Sequence, residues 1–492
     1  MDLGFPLGIR LTHAFNLVFL TLLIRSGIEI LGGHPMLYFN DHCRPGSEWI
    51  RFTSKRMFRN LRWTAEDEKQ TYTPWLALPG RDNLGLGRFW HFVAVVGWLS
   101  TGVMYLFVLL TSEQWQRLVP TSATVFHEAG EAAVAYLRLD VPPPGNPYNG
   151  LQQLTYFALV FVLAPLQIAT GLAMSPALAG RYQWFPRLFG GRQAARSLHF
   201  VGLLAFVAFT VHHVALVIAH GLLDGLAAIV LGEQAPTAAD RAVAVAIALT
   251  FVSALVVLHV WATRRSLLQP RAVQDVLQRI IDPLQARLLQ PLTSRQSYRP
   301  EDITHDPRPN GRPPRNQAYV DLVERGFTGW TFEVGGLVDR PLSLTLDELR
   351  RLQSEHQITQ HKCIQGWSYT AAWRGVPLGV LLDRCQPNRD ARYILFRTFD
   401  EKWEEPGHGD YYSVIDLDLA RAPQTLIAYD MNGQPLPTAF GAPLRLRLEN
   451  QLGYKMVKWI RSMELIADYH DIGGGCGGWR ADLLHYSRIA PI

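Results

Sequence analysis

The chain has 492 residues, long enough for two or more domains, with a net charge of +5, a pI near 9.0 and a mean hydropathy of +0.03. No basic–aromatic interleaving or nucleic-acid motif accompanies that charge, which excludes a nucleic-acid partner. Four cysteines, at 43, 363, 385 and 476, contain no CxxC pair, which excludes a disulfide scaffold or a zinc site and leaves Cys43, Cys385 and Cys476 as plain thiols.

The average hydropathy hides a split, since residues 1–265 are crowded with Leu, Val, Ala and Phe and 266–492 have the mix of a soluble domain. Five stretches are apolar over the about 20 residues a helix needs to cross a bilayer, at roughly 9–31, 88–110, 151–174, 197–220 and 241–263. The start MDLGFPLGIRLTHAF lacks a basic n-region and a cleavage site, and no twin-arginine signal precedes the soluble half. Pro142, Pro143 and Pro144 mark a loop. After the fifth span, AVQDVLQRIIDPLQARLLQ has amphipathic spacing suited to a membrane surface. The Pro- and Arg-rich stretch 290–315 follows as an extended linker. These boundaries predict a membrane domain at 1–265, an amphipathic and linker segment at 266–315, and a second domain at 316–492.

Basic residues set the expected orientation. Arg44, Arg51, Lys55, Arg56, Arg59 and Arg62 lie in one loop, Arg181, Arg187, Arg192 and Arg196 in another, and Arg264, Arg265 and Arg271 follow the last span. The opposite side holds only Arg10, Arg117, Arg138 and Arg241 at its span ends. The N-terminus is therefore expected outside a bacterial inner membrane, and the C-terminal domain in the cytoplasm.

Seven histidines lie in or at the ends of spans, at 13, 91, 199, 212, 213, 220 and 259. An ionisable side chain at that depth is costly and usually functional; an interhelical hydrogen bond is the plainer role, and the one expected of His220 and His259. His199 and His213 are fourteen residues apart, about 21 Å along a helix and about 40° apart around it. His91 is level with His199, and His13 with His212 and His213, so two bis-imidazole sites are expected, with either His212 or His213 as the fourth ligand. Haem iron held between two imidazoles suits electron transfer, having no axial position open to substrate. Arg25 and Glu29, at i and i+4, are expected to pair or to shape a quinone head-group pocket. RLTHAFNLVFLTLLIRSGIEIL (10–31), GRFWHF (87–92) and RSLHFVGLLAFVAFTVHHVALV (196–217) resemble the four-helix cytochrome b subunits of formate dehydrogenases and nickel-iron hydrogenases. That resemblance implies b haems over residues 9–220 and leaves the fifth span outside it.

HKCIQGWSYTAAWRGVPLGVLL (361–382) is the most specific stretch of the chain. It resembles the molybdenum-ligand segment of the sulfite oxidase superfamily, in the bacterial branch that holds methionine sulfoxide reductase catalytic subunits, with the pattern C-x-x-x-W-S-x-x-x-x-W-x-G-x-P-L. The resemblance implies that the Cys363 thiolate binds molybdenum carried by a pterin dithiolene; a soft anionic sulfur suits that ion. NGQPLPTAFGAPLRLRLENQLGYKMVKWI (432–460) resembles the family's second cofactor segment, which gives pterin contacts to Arg445, Gly453, Tyr454 and Lys455. Thr398 matches a family threonine, and His361 is placed to hydrogen-bond the metal oxo group or the pterin. Phe440 stands where the family has Asn or His, and the Arg-rich stretch of animal and plant sulfite oxidases is absent, which weakens sulfite as substrate. The immunoglobulin-like and cytochrome b5 domains of the animal enzymes are absent too.

The fold expected is a membrane all-α bundle of five helices joined to a mixed α+β sulfite-oxidase-like molybdopterin domain. The function expected is a molybdenum-dependent oxidoreductase passing electrons between the quinone pool and a small oxyanion, S-oxide or N-oxide substrate through two b haems. A dehydrogenase running the other way, and a cytochrome b electron carrier with a non-catalytic cofactor domain, are the alternatives.

Overall fold

Long apolar runs bounded by polar turns dictate helices, and a computed structural model of the chain has them; it describes residues 4–55, 64–138, 140, 142, 148–401 and 409–492. Arg56, Arg59, Arg62, Pro143 and Pro144 lie outside the described residues. Five helices are long and apolar enough to cross a membrane: Leu7–Gly32, Leu84–Thr111, Gly150–Ala173, Arg192–Val230 and Ala238–Leu268. The shortest has 24 residues, about 36 Å against the about 30 Å of hydrocarbon it must cross. The third contains a π-helical turn over Ala158–Leu163. The fourth breaks at Gly221 (φ 117°), next to its expected end at residue 220, and a short second helical stretch follows as far as Val230. A further helix, Thr124–Leu137, not foreseen from sequence, buries Val125, Ala129 and Ala132 ahead of the third span.

The chain forms two compact units. The first comprises Met1–Ser26, Trp90–Gly171 and Leu198–Leu268. Within it Trp90 donates to Ser266 Oγ (2.9 Å) and Trp98 to Asn16 Oδ1 (2.6 Å), tying the first, second and fifth spans together. Arg25 and Glu29 turn to different partners. Arg25 reaches His259 Nδ1 (2.9 Å) and Thr263 Oγ1 (2.8 Å). Glu29 accepts from the Gly80 and Asn83 N–H groups (3.1 and 2.7 Å), since a buried carboxylate takes backbone donors within reach.

The second unit comprises Gly27–Phe89, Leu172–Ser197 and Gln269–Ile492. Met36–Leu37 and Ile50–Arg51 form a two-stranded antiparallel pair, and the strands of its two larger sheets are β1 (Thr331–Gly336), β2 (Leu342–Thr345), β3 (Glu355–Lys362), β4 (Ser368–Pro377), β5 (Tyr393–Thr398), β6 (Tyr412–Asp416), β7 (Leu426–Met431), β8 (Gln434–Pro435), β9 (Arg445–Arg447) and β10 (Ile460–Ile466). One sheet has the order β8-β7-β4-β3 with β9 also on β7; the other is β2-β1-β10-β5-β6, and only β10 with β1 is parallel among these pairs. Phe332, Val334, Ile394, Phe396, Leu446 and Met463 sit in the core that these sheets share. The helix Pro270–Leu288 buries Gln274, Leu277, Ile281 and Gln285 and exposes Val276, Ile280, Leu284 and Leu288 along a neighbouring stripe, the amphipathic pattern expected of it. The Pro- and Arg-rich stretch beyond is extended and packed: Tyr298 N–H donates to Ile358 O, Thr304 N–H donates to Thr370 O, and Ser294, Gln296, Thr304 and Arg308 are buried.

Candidate functional sites

Cys363 leaves the end of buried strand β3 and begins the turn into β4. The turn closes on itself, with the Cys363 N–H donating to Trp367 O (3.0 Å) and the Gly366 N–H to Cys363 O (3.1 Å). Cys363 is fully buried. Its Sγ lies 3.6 Å from Gln365 Oε1, and Asn310 Nδ2 points at it from 4.0 Å. Arg192 and Gln193 both donate to Gly366 O (2.6 and 2.8 Å). Arg196 donates to His34 O and Met36 O (2.6 and 2.7 Å), so the start of the fourth span serves the second unit as a brace.

Beside the turn lies a buried cationic group. Arg445 and Arg447 are two apart on β9 and share its face, with Trp373 beneath both at 5.1 and 4.2 Å. Both guanidiniums reach His361 Nδ1, at 3.4 and 3.3 Å. Arg447 is also paired with Glu449 (2.9 and 3.0 Å). Burial, with Arg445 and Arg447 beside it, holds His361 neutral. Burial pushes Lys362 down to about 7. Among the described residues, His361 Nε2, Lys362 Nζ, Trp373 Nε1 and Arg445 Nε are buried with no hydrogen-bond partner. Unspent donors are expensive in a protein interior, and an anion with several acceptor oxygens is the group that would satisfy them. A molybdopterin, with its phosphate and dithiolene, has that chemistry, so these residues fit it.

The structure brings Gly453 against His361: a Cβ there would stand 2.2 Å from the imidazole Cε1, so only glycine allows the approach. Tyr454 is buried and its hydroxyl donates to Ser487 O (2.6 Å). Two residues that the resemblance gave to the cofactor are engaged by the protein itself. Thr398 donates to Tyr411 O (3.0 Å) and accepts from the Asp400 N–H (3.1 Å). Lys455 donates to Ser413 Oγ (3.1 Å) and Val414 O (2.8 Å), and burial with Arg488 nearby pushes its amine down to about 7. Phe440 packs edge-on to Tyr369 at 6.0 Å, and its carbonyl accepts from Arg445 (3.1 Å). A cavity lined by Asn310, Asp400, Arg445, Gly453, Lys458 and Arg480 opens beside these residues. A larger one, about 560 Å³, lies on the other sheet between Trp330, Glu333 and Arg461 and holds none of them.

Sequence reasoning missed Lys362, Arg447 and Asn310. The alternation R-L-R-L-E at 445–449 is the strand signal that puts Arg447 and Glu449 with Arg445. Asn310 carried no signal beyond membership of a Pro-rich stretch.

In the first unit the structure pairs His13 with His213 and His91 with His199, with ring centres 6.4 and 6.5 Å apart. Two metal–imidazole bonds of about 2 Å, plus about 1.2 Å from each nitrogen to its ring centre, span about 6.4 Å. Both gaps therefore fit an iron. Ser26 gives its hydroxyl proton to Leu22 O (2.7 Å), so its oxygen accepts from His91 Nδ1 (3.1 Å). His199 Nδ1 is likewise held by Gln167 O and Thr170 Oγ1, each at 3.1 Å. Such partners fix the tautomer and leave Nε2 as the ligating atom. His213 Nδ1 lies 3.4 Å from the Tyr156 hydroxyl and its ring stacks on Phe209 at 5.5 Å. His212, one residue earlier, is exposed, as is His220. Among the described residues no group of three or more His, Cys, Asp or Glu forms a metal site.

Residues 320–471 match the model of the oxidoreductase molybdopterin binding domain, and residues 4–232 match that of prokaryotic cytochrome b561. The chain joins a molybdopterin oxidoreductase domain to a cytochrome b561 domain. These domains imply a molybdenum cofactor and haem b, in a multi-pass membrane protein with five candidate spans. A putative protein-methionine-sulfoxide reductase subunit, YedZ1, of Azospira oryzae is 37% identical over 158 residues, 32% of this chain and 57% of that protein. The protein-methionine-sulfoxide reductase catalytic subunit MsrP of Xanthomonas axonopodis is 38% identical over 144 residues, 28% of this chain and 45% of that protein. The chain spans about half the length of the curated relatives it matches. Among solved structures, the sulfane dehydrogenase SoxCD of Paracoccus pantotrophus is similar over 28% of this chain and 38% of its own, at 20% identity and a TM-score of 0.25.

Proposed function

We propose that the chain is a membrane-bound reductase of S-oxides, of the methionine sulfoxide class, supplied with electrons by the quinone pool. The observation that carries this reading is the set of unspent buried donors on His361, Lys362, Trp373 and Arg445 beside the Cys363 turn. The names of the relatives that match support the substrate class.

In this reading Cys363 is the molybdenum ligand. Lys362, Arg445, Arg447 and His361 would hold the anionic pterin, with Gly453 and Tyr454 beside them. Asn310 Nδ2, an N–H donor 4.0 Å from the sulfur, is placed to hold the thiolate. When bound, molybdenum supplies a two-electron centre that takes an oxygen atom from substrate. Overall, the S-oxide takes up two electrons and two protons and leaves as sulfide and water. Arg480 and Lys458, on the cavity wall, are suited to the polar S–O bond of a substrate. His13 with His213, and His91 with His199, would hold two b haems, which would supply single-electron transfer.

The soluble domain is taken to begin near residue 316 and to face the cytoplasm. Arg192 and Arg196 leave the charge tally, being hydrogen-bonded inside the second unit, whereas Arg44, Arg187, Arg264 and Arg265 stay exposed and carry it. The test is the purified chain in lipid nanodiscs: metal and haemochrome analysis should give one molybdenum and two haems per chain. Reduced haem should then be reoxidised by methionine sulfoxide. Haem that stays reduced in a molybdenum-replete sample would refute the substrate class. A fluorescent reporter after Ile492 should glow in the cytoplasm; alkaline phosphatase activity at that junction would reverse the orientation.

A further inference from the structure

The first and fifth spans share a polar cluster, half of which lies beyond either domain match. Arg25 lies seven residues inside the end of the first span and His259 nine inside the end of the fifth, about 10 and 13 Å along their helices. Arg25 Nη1 meets His259 Nδ1 at 2.9 Å, Arg25 Nη2 donates to Thr263 Oγ1 at 2.8 Å, and His259 Nε2 meets Thr21 Oγ1 at 2.9 Å. Thr21 spends its own proton on Leu17 O and Val18 O (2.9 and 3.0 Å), so it accepts from His259 Nε2–H and leaves Nδ1 to accept from Arg25. A guanidinium at that depth is costly and marks function more often than packing.

Three features separate this cluster from an interhelical clamp. All four residues are only partly buried, on helices long and apolar enough to cross a bilayer. Ser26, next to Arg25, is the residue that accepts from His91 Nδ1, so the cluster adjoins the His91–His199 pair. The fifth span lies beyond the cytochrome b561 match, which ends at 232, so His259 and Thr263 are additions to that domain.

We propose that Arg25, His259, Thr21 and Thr263 form a head-group site for a quinone entering sideways from the bilayer. It rests on the quinone-linked reading above. A quinone is a bilayer-dissolved ring with carbonyl acceptors, and the five-donor guanidinium of Arg25, oriented by His259 and Thr263, is the group that would hold one of them. The four residues are partly exposed on membrane-spanning helices, and such a ligand is dissolved in the bilayer around them.

An azido-quinone photolabel on the full chain in nanodiscs tests this, with decylubiquinone as competitor. Label should appear in the first and fifth spans, and Arg25→Gln should lower it about ten-fold or more while the haem spectrum stays intact. Thr263→Val removes a single acceptor from Arg25 and repeats the comparison, at several-fold, should Arg25→Gln fail to assemble. Label confined to other spans, or unchanged by both substitutions, overturns the site. Should that label still be competed and decylubiquinol still reduce the haem, the quinone-linked reading survives without this site. A wild type that is neither labelled nor reduced by decylubiquinol overturns both.

Discussion

Lys455 offers the sharpest test of the domain's energetics, because its amine is buried without a carboxylate in hydrogen-bonding contact. It donates to Ser413 Oγ and Val414 O, and its pKa falls from 10.5 to about 7. Below pH 7 the amine is charged in both folded and unfolded chains, and holding that charge inside costs about 5 kcal/mol at about 1.4 kcal/mol per pH unit. Between pH 7 and 10.5 the unfolded chain binds the extra proton, so stability rises with pH and the penalty fades. Lys455→Met removes the penalty and leaves two acceptors unsatisfied, at about 1–3 kcal/mol. In cofactor-free protein the substitution should therefore stabilise by about 2–4 kcal/mol at pH 6.5, raising the unfolding temperature of the domain by about 5–10 °C. The gain should shrink and change sign toward pH 10. Thermal unfolding of cofactor-free protein, followed by tryptophan fluorescence across pH, measures the gain. A pH-independent gain, or a loss at pH 6.5 in cofactor-free protein, would refute this account of the buried amine.

Three further outcomes are expected. Cys363→Ser should abolish S-oxide reduction and leave the haem spectrum unchanged, read by turnover assay and optical spectrum on the same sample. Gly453→Ala, whose Cβ would stand 2.2 Å from the His361 ring, should destabilise the domain by about 1–3 kcal/mol and lower molybdenum content, measured by thermal unfolding and metal analysis. His213→Ala should remove one haem of two by pyridine haemochrome, whereas His212→Ala, at an exposed position, should keep both.

Much of the membrane half was legible because its signals are local. Apolar length defines a span, and a fourteen-residue spacing puts His199 and His213 on nearly one helix face whatever surrounds them. The choice between His212 and His213 was not legible, since both lie on the same turn and only the packing of the first span against the fourth distinguishes them. In the second unit, the run from Cys363 to Leu378 identified the site, but the residues with unspent donors around it come from β3, β4 and β9, which meet only through sheet pairing. Lys362 and Trp373 carry no local signal of burial. Lys455 and Thr398 were read as cofactor contacts from position along the chain. Their hydrogen bonds to Val414 O and Tyr411 O depend on a strand and a turn that no sequence spacing predicts.

Arginine is where composition is least informative. Arg187, Arg192 and Arg196 count equally as topology signals, yet Arg187 is exposed, while Arg192 donates to Gly366 O and Arg196 to His34 O and Met36 O. The difference lies in the acceptors. The turn after Cys363 and the chain at 34–36 present carbonyls that β pairing leaves open, and a forked guanidinium serves two of them at once. Arg308 follows the same logic from within a stretch whose composition suggests solvated linker: it donates to Cys43 O and to the Tyr38 hydroxyl (2.8 and 2.9 Å) and pairs with Glu68. A basic, proline-rich segment thus becomes structural wherever the neighbouring fold has unpaired carbonyls or a buried carboxylate to offer. That condition is met at Arg308, and two residues farther on the same extended segment carries Asn310 to the Cys363 thiol.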